Sequence, residues 1–246
     1  MSVLSEILAM PGLTFVLLVS LGAGLVYGFA GFGSALIFMP AATLVLAPEL
    51  AIALSALASL VTVIPGAWRA ADKRSTVMMI GACMLFTPLG VAALRLAPTE
   101  VIQTGIAVLT LVTLGLLLAG WKIPLAGPGA RLGVGALAGL TGGSTGLNGP
   151  PVILFNLATP GQPVEVTRGN LACFLTLTTL SLLPQLWLQG LLTAQAFWLG
   201  VLLLIPYALG TFVGARLFRP AYAVVYRGLA YALIGAAGVA ALPIWE

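Results

Sequence analysis

Long apolar blocks, separated by short polar or glycine-rich stretches, fill this chain from end to end. They cover about 11–47, 50–68, 76–95, 99–120, 131–158, 164–188, 192–215 and 221–243. Most approach the roughly 20 residues with which a helix crosses a hydrocarbon core of about 30 Å. The blocks are continuous and do not alternate apolar with polar, so the pattern predicts helical spans and not a barrel.

Two blocks do not fit a single span. As one helix, 11–47 would be roughly 55 Å long, so it must turn back, and its natural break is "GFAGFG" at Gly28 to Gly33. Block 131–158 carries its breakers between Gly142 and Pro151, inside "LTGGSTGLNGPPVILFN". Each is expected to be two helical pieces joined by irregular backbone. Shifting the chain by 111 positions lays Gly28 on Gly139, Gly31 on Gly142, Ser34 on Thr145 and Pro40 on Pro151. Three ordinary spans follow each broken segment. The expectation is an internal duplication, with repeat 1 at about 1–121 and repeat 2 at about 130–246, within one membrane domain covering 1–246.

Charge orients the halves. If each broken segment returns to the side it came from, and Arg69, Lys73 and Arg74 are cytoplasmic, then Lys122, Arg131, Arg168, Arg216, Arg219 and Arg227 are cytoplasmic too. Of the ten basic residues only Arg95 falls outside, together with Glu6, Glu49, Glu100 and Glu246. Both termini are then outside, and the two broken segments enter from opposite faces. The expected fold is an all-α membrane protein, a polytopic helical bundle of two inverted repeats, each with one broken or re-entrant glycine-rich segment and three spans.

Composition agrees. Of 246 residues, 61% are hydrophobic and 7% charged, against roughly 25% charged in soluble domains, and the mean hydropathy is +1.15. No cleavable leader is expected, because no Lys or Arg precedes Arg69. The net charge of +4 is too small and too scattered for nucleic acid. Two cysteines and no histidine leave no disulfide framework or zinc spacing. The GxG pieces lack the strand and acidic residue of a nucleotide fingerprint, so no cofactor is expected.

The breaks hold the candidate chemistry. Irregular backbone in lipid leaves N–H and C=O groups unpaired unless it lines protein or a polar cavity. Transporters with inverted repeats point the N-terminal ends of broken helices at an anion, using free N–H donors and roughly half a positive charge. Pro40 and Pro150–Pro151 suit the first turn of such half-helices. Candidate binding residues are Gly31, Gly33 and Ser34 in the first break, with Gly142, Gly143, Ser144, Thr145, Gly146 and Asn148 in the second. The same glycines also serve close helix packing.

Outside the breaks, Arg168 reads two ways: an interfacial arginine, or a fork-shaped counter-charge for an oxyanion. Glu165 lies one turn away and could pair with it. Asn170 shares a helix face with Cys173. It could contact substrate or bind helices together, and Cys173 reads first as a small core residue. Trp68, Trp121, Trp187, Trp198 and Trp245 fall near span ends, as an interfacial belt does. No membrane-embedded carboxylate pair offers a proton relay.

Three stretches carry a family resemblance: "GFAGFGSALIFMPAATLVL", "GLTGGSTGLNGPPVILFNLATP" and "RGNLACF". Together they resemble the TauE/SafE sulfite exporter family, also called the four-TMS sulfur anion transporters, and the likeness covers the chain in length and layout. Phe32 and Ser34 stand where a denser glycine run is common. The resemblance implies a multi-pass inner-membrane permease for sulfite, a sulfonate such as sulfoacetate, or a related small anion. Export follows the membrane potential, at about 2.3 kcal/mol per charge per 100 mV, and needs no coupling ion. A channel or a non-transporting membrane subunit is the alternative. An intramembrane enzyme lacks an evident base for Ser144. Nothing in the sequence fixes the oligomeric state.

Overall fold

A computed structural model of the chain describes residues 7, 9–62, 67–121, 127–159, 161–217 and 223–243. Glu6, Lys122, Arg219, Trp245 and Glu246, on which parts of the topology and belt expectations rest, lie outside them. The described residues are helical, with no strand among them.

The first broken block forms α1 (Leu13–Ala30) and α2 (Ser34–Ala42). Block 50–68 becomes α3 (Pro48–Ala58), a 3-10 turn (Ser59–Thr62) and the short α4 (Ala67–Ala70). The long helices α5 (Lys73–Leu96) and α6 (Thr99–Leu118) complete the half. The second half has α7 (Pro128–Thr145), α8 (Gly149–Ala158), α9 (Val164–Leu188), α10 (Ala194–Leu217) and α11 (Ala223–Ala240). Among the described residues, five helices (α1, α5, α6, α9 and α10) are long and apolar enough to cross a membrane. Leu85, Leu89, Ile205 and Phe212 project outward from α5 and α10, as lipid-facing residues do.

The second block, 50–68, departs from expectation. It is not one ordinary span, because the helix leaves α geometry at Ser59, with Pro65 and Gly66 in the sequence beyond. Its second-half counterpart α9 runs unbroken for 25 residues.

Both broken segments are hairpins of unequal arms. At 1.5 Å per residue, α1 is about 27 Å long and α2 about 14 Å. A Cβ on Gly12, just before α1, would lie 3.2 Å from Val45, just after α2, so the first hairpin closes on the side where it began. Pro40 lies deep inside α2 and not in its first turn, whereas Pro150 and Pro151 do open α8.

Helix directions follow from the contacts. Along α1, Gly24 meets Tyr207 and Gly28 meets Thr211 and Gly214, so α1 and α10 run parallel. Along α7, Gly135 meets Met79, Gly139 meets Cys83 and Gly143 meets Thr87 and Gly90, so α7 and α5 run parallel. Between these pairs, α9 runs with α5. At one end the Asn170 Oδ1 accepts from the Asp72 N–H at 2.8 Å, and at the other Arg95 donates to Gln189 at 3.5 Å. A short turn then reverses α9 into α10. It follows that α1 opposes α7, and the two hairpins point in opposite directions.

The same contacts correct the register between the halves. Gly24, Gly28 and Gly31 correspond to Gly139, Gly143 and Gly146, an offset of 115 and not 111. The glycine-rich text tolerates both alignments. The backbone chooses 115, because only glycine permits two helix backbones to approach this closely. A Cβ on any of these four helix-packing glycines would come within 2.3–2.4 Å of a partner carbonyl oxygen.

Candidate functional site

The two breaks are built alike. Helix α1 ends on Gly31 at φ 79°, and α2 begins after Gly33 at φ 89°. Helix α7 ends on Gly146 at φ 72°, and Asn148 precedes α8. A left-handed glycine closes each long arm, with its N–H bonded four residues back, and lets the chain reverse at once.

Between the breaks lies a cavity of about 60 Å³, lined by Ser34, Gly146 and Asn148 together with Ser55, Thr179 and Tyr207. It sits between two hydrophobic clusters. One gathers residues from α1, α2, α3, α6, α10 and α11 with the ends of α5 and α9, and the other from the first half of α5, α7, α8 and the start of α9. The first turn of α2 and Asn148, the residue that precedes α8, both border this space, which brings two positive helix ends to one place. The Tyr207 side chain is 3% exposed and its hydroxyl faces Ser34 without a well-formed hydrogen bond to any protein group. A buried phenol left without a partner is costly, and this one borders the cavity.

A second cavity of about 580 Å³ lies beside the first break, lined by Gly31, Phe32, Ala67, Ala70, Arg168 and Thr211 among others. Tyr27 lines both cavities, and its ring stands 6.3 Å from that of Tyr207. A third, of about 220 Å³, lies at the opposite end against Thr43, Glu100 and Gln103 and shares no lining residue with the central one. The central cavity therefore adjoins the arginine-bearing vestibule and not the other end. Among the described residues no ion pair joins Arg168 to Glu165.

The candidate residues divide. Ser34, Gly146 and Asn148 meet at the central cavity, where the Asn148 amide also donates to Thr178 at 2.9 Å. Gly31 and Arg168 line the vestibule, and Gly33 caps α2. Gly142 and Gly143 pack, the first against Asn148 and the second against α5. Ser144 and Thr145 turn their hydroxyls onto the carbonyls of Leu140 and Thr141 in their own helix. Asn170 is buried in a polar clamp: it accepts from Asp72 and Thr76 and donates to Asn156 at 2.9 Å.

Sequence reading missed Tyr27, Tyr207, Ser55 and Thr179. A signal existed for Tyr207: a tyrosine in mid-span, away from the interfacial belt, needs a polar neighbour for its hydroxyl.

Opposed helical hairpins and five long apolar helices among the described residues define a polytopic helical membrane protein. The chain belongs to the sulfite exporter TauE/SafE family, whose model matches residues 16–241. That membership points to a membrane exporter of sulfite or a related sulfur anion. No curated protein and no solved structure matches the chain significantly.

Proposed function

We propose that this chain is a carrier that exports a compact sulfur oxyanion, sulfite foremost, across the inner membrane. The observation that carries the reading is the small cavity between two helix starts, bordered by the buried Tyr207 hydroxyl, which has no well-formed hydrogen bond to the protein. Its 60 Å³ holds about four waters, or an anion of four or five heavy atoms. That size favours sulfite over sulfoacetate. Ser34, Asn148 and Tyr207 supply neutral donors around the anion, and Gly146 keeps the space open. Gly31, Gly33 and Arg168 belong to the entry path, where guanidinium attracts anions from the cytoplasm. We assign Gly142, Gly143, Ser144, Thr145 and Asn170 to holding the breaks in shape. A pocket this small, adjoining a vestibule on one side only, supports a carrier over a channel, which needs a continuous path.

In the proposed orientation the Arg69, Lys73 and Arg168 end is cytoplasmic and both termini are outside, as the basic residues favour, so this conformation faces inward. Sulfite efflux from proteoliposomes under an imposed potential tests the reading. Saturable flux is expected, abolished in Gly146→Leu, where a Cβ already comes within 2.9 Å of the Met39 sulfur. A folded Gly146→Leu protein with normal flux would place the anion elsewhere.

A further inference from the structure

We propose that the central cavity selects by charge as well as by size, and accepts only singly charged oxyanions: hydrogensulfite and not the sulfite dianion. The inference rests on the carrier reading above and specifies its substrate. None of the residues lining the cavity carries a charge at neutral pH. Its positive potential comes from two helix starts, each worth about half a charge at most. Helix α2 offers the N–H groups of Ser34, Ala35 and Leu36. Helix α8 opens Gly149–Pro150–Pro151, so two of its first three residues have no N–H. The two ends together therefore offset about one negative charge and no more. Tyr207 is the independent sign that a ligand belongs there, because its buried hydroxyl borders this space beside Ser34 and makes no well-formed hydrogen bond to the protein. Hydroxyls can donate to the anion's oxygens or accept from a proton it carries. A second charge would be buried without any compensation, and that cost is large. Arg168 does not relieve it, because it lines the vestibule and not the cavity. The vestibule attracts anions of either charge, and the cavity discriminates between them.

The test uses the full chain in proteoliposomes. Flux of labelled sulfite, methanesulfonate and sulfate is measured over a pH series spanning the second ionisation of sulfurous acid, and zero-current potentials give the charge moved per sulfur. Above that ionisation, sulfite flux at constant total should fall about tenfold per pH unit. Methanesulfonate, a monoanion throughout, should stay level. Sulfate should scarcely move, and one charge should accompany each sulfur. Sulfite flux that holds or rises through the ionisation, sulfate flux matching it, or two charges per sulfur would each overturn charge selection while leaving the carrier reading intact. A parallel fall for methanesulfonate would trace the pH effect to the protein, and the charge per sulfur then decides. No flux of any of the three would remove the carrier reading, and this inference with it.

Discussion

Single residues separate anion contacts from scaffolding. Tyr207→Phe removes one neutral hydrogen bond to the anion, worth about 0.5–1.5 kcal/mol, so affinity should weaken roughly three- to tenfold. The same change deletes a buried hydroxyl that has no well-formed hydrogen bond to the protein, so the anion-free protein should melt no lower than the parent. Thermal unfolding with and without sulfite reads both effects, since a ligand of the folded state raises its stability. A lower anion-free melting temperature would mean that the hydroxyl serves the fold. Ser144→Ala should change neither quantity, because its hydroxyl already donates to the Leu140 carbonyl at 2.7 Å. Gly31 and Gly146 should also differ. Nothing lies within 4 Å of a Cβ at Gly31, so Gly31→Ala costs only the left-handed backbone, about 1–2 kcal/mol, and leaves sulfite binding in place. At the vestibule, Arg168→Ala should slow sulfite flux most at low salt, and Arg168→Lys should restore only part of it. Flux insensitive to both would return Arg168 to an interfacial role.

Among the elements, the two parallel pairs α1·α10 and α5·α7 are the rigid parts. Each rests on a glycine face where backbone meets backbone, with Gly28 against Thr211 and Gly214 and Gly143 against Thr87 and Gly90. Gly28→Ala and Gly143→Ala should therefore lower thermal stability by similar large steps, since the collision is with backbone that cannot rotate away. Gly22 and Gly133 lie on the same two helices with open space beside them. Their alanine variants should be neutral or slightly stabilising, because alanine favours helix over glycine by about 1 kcal/mol. Comparing the four melting temperatures in one detergent checks the claim, and equal losses at all four positions would refute it. These elements also mark the limit of sequence reading. Both breaks were legible from Gly28–Gly33 and Gly142–Pro151, because a block of about 55 Å cannot be one span. The interruption after Ala58 was not. Val61, Val63 and Ile64 keep that block apolar, and its hydropathy does not register a local change from α to 3-10 geometry.

At the level of the whole molecule, the opposed hairpins and the basic residues predict one orientation. Cysteines placed at Glu49 and Gln189 should react with an impermeant reagent from outside, and one at Lys73 only after the membrane is opened. External labelling at position 73 would reverse the assignment. The sequence by itself determined the class of this protein. With 7% charged residues no soluble surface can be built, and the lengths of the apolar blocks dictate helices, because lipid leaves no other partner for the backbone. It also determined where the chain had to break. The tertiary structure decided what each glycine in a break does. Gly146 borders a cavity, Gly143 presses on α5, and Gly31 stands beside a vestibule. In the sequence all three are the same letter, and the difference is what another helix brings opposite. Tyr207, Ser55 and Thr179 reach the cavity from three helices remote from the second break. Asn170, which looked like a ligand, lost that opening when folding set Asp72, Thr76 and Asn156 around its amide. Polar groups in an apolar span must find partners, but the sequence does not say whether the partner is protein or substrate. Only the packing of distant helices settles that, because it fixes which polar groups are satisfied and which are left facing a space.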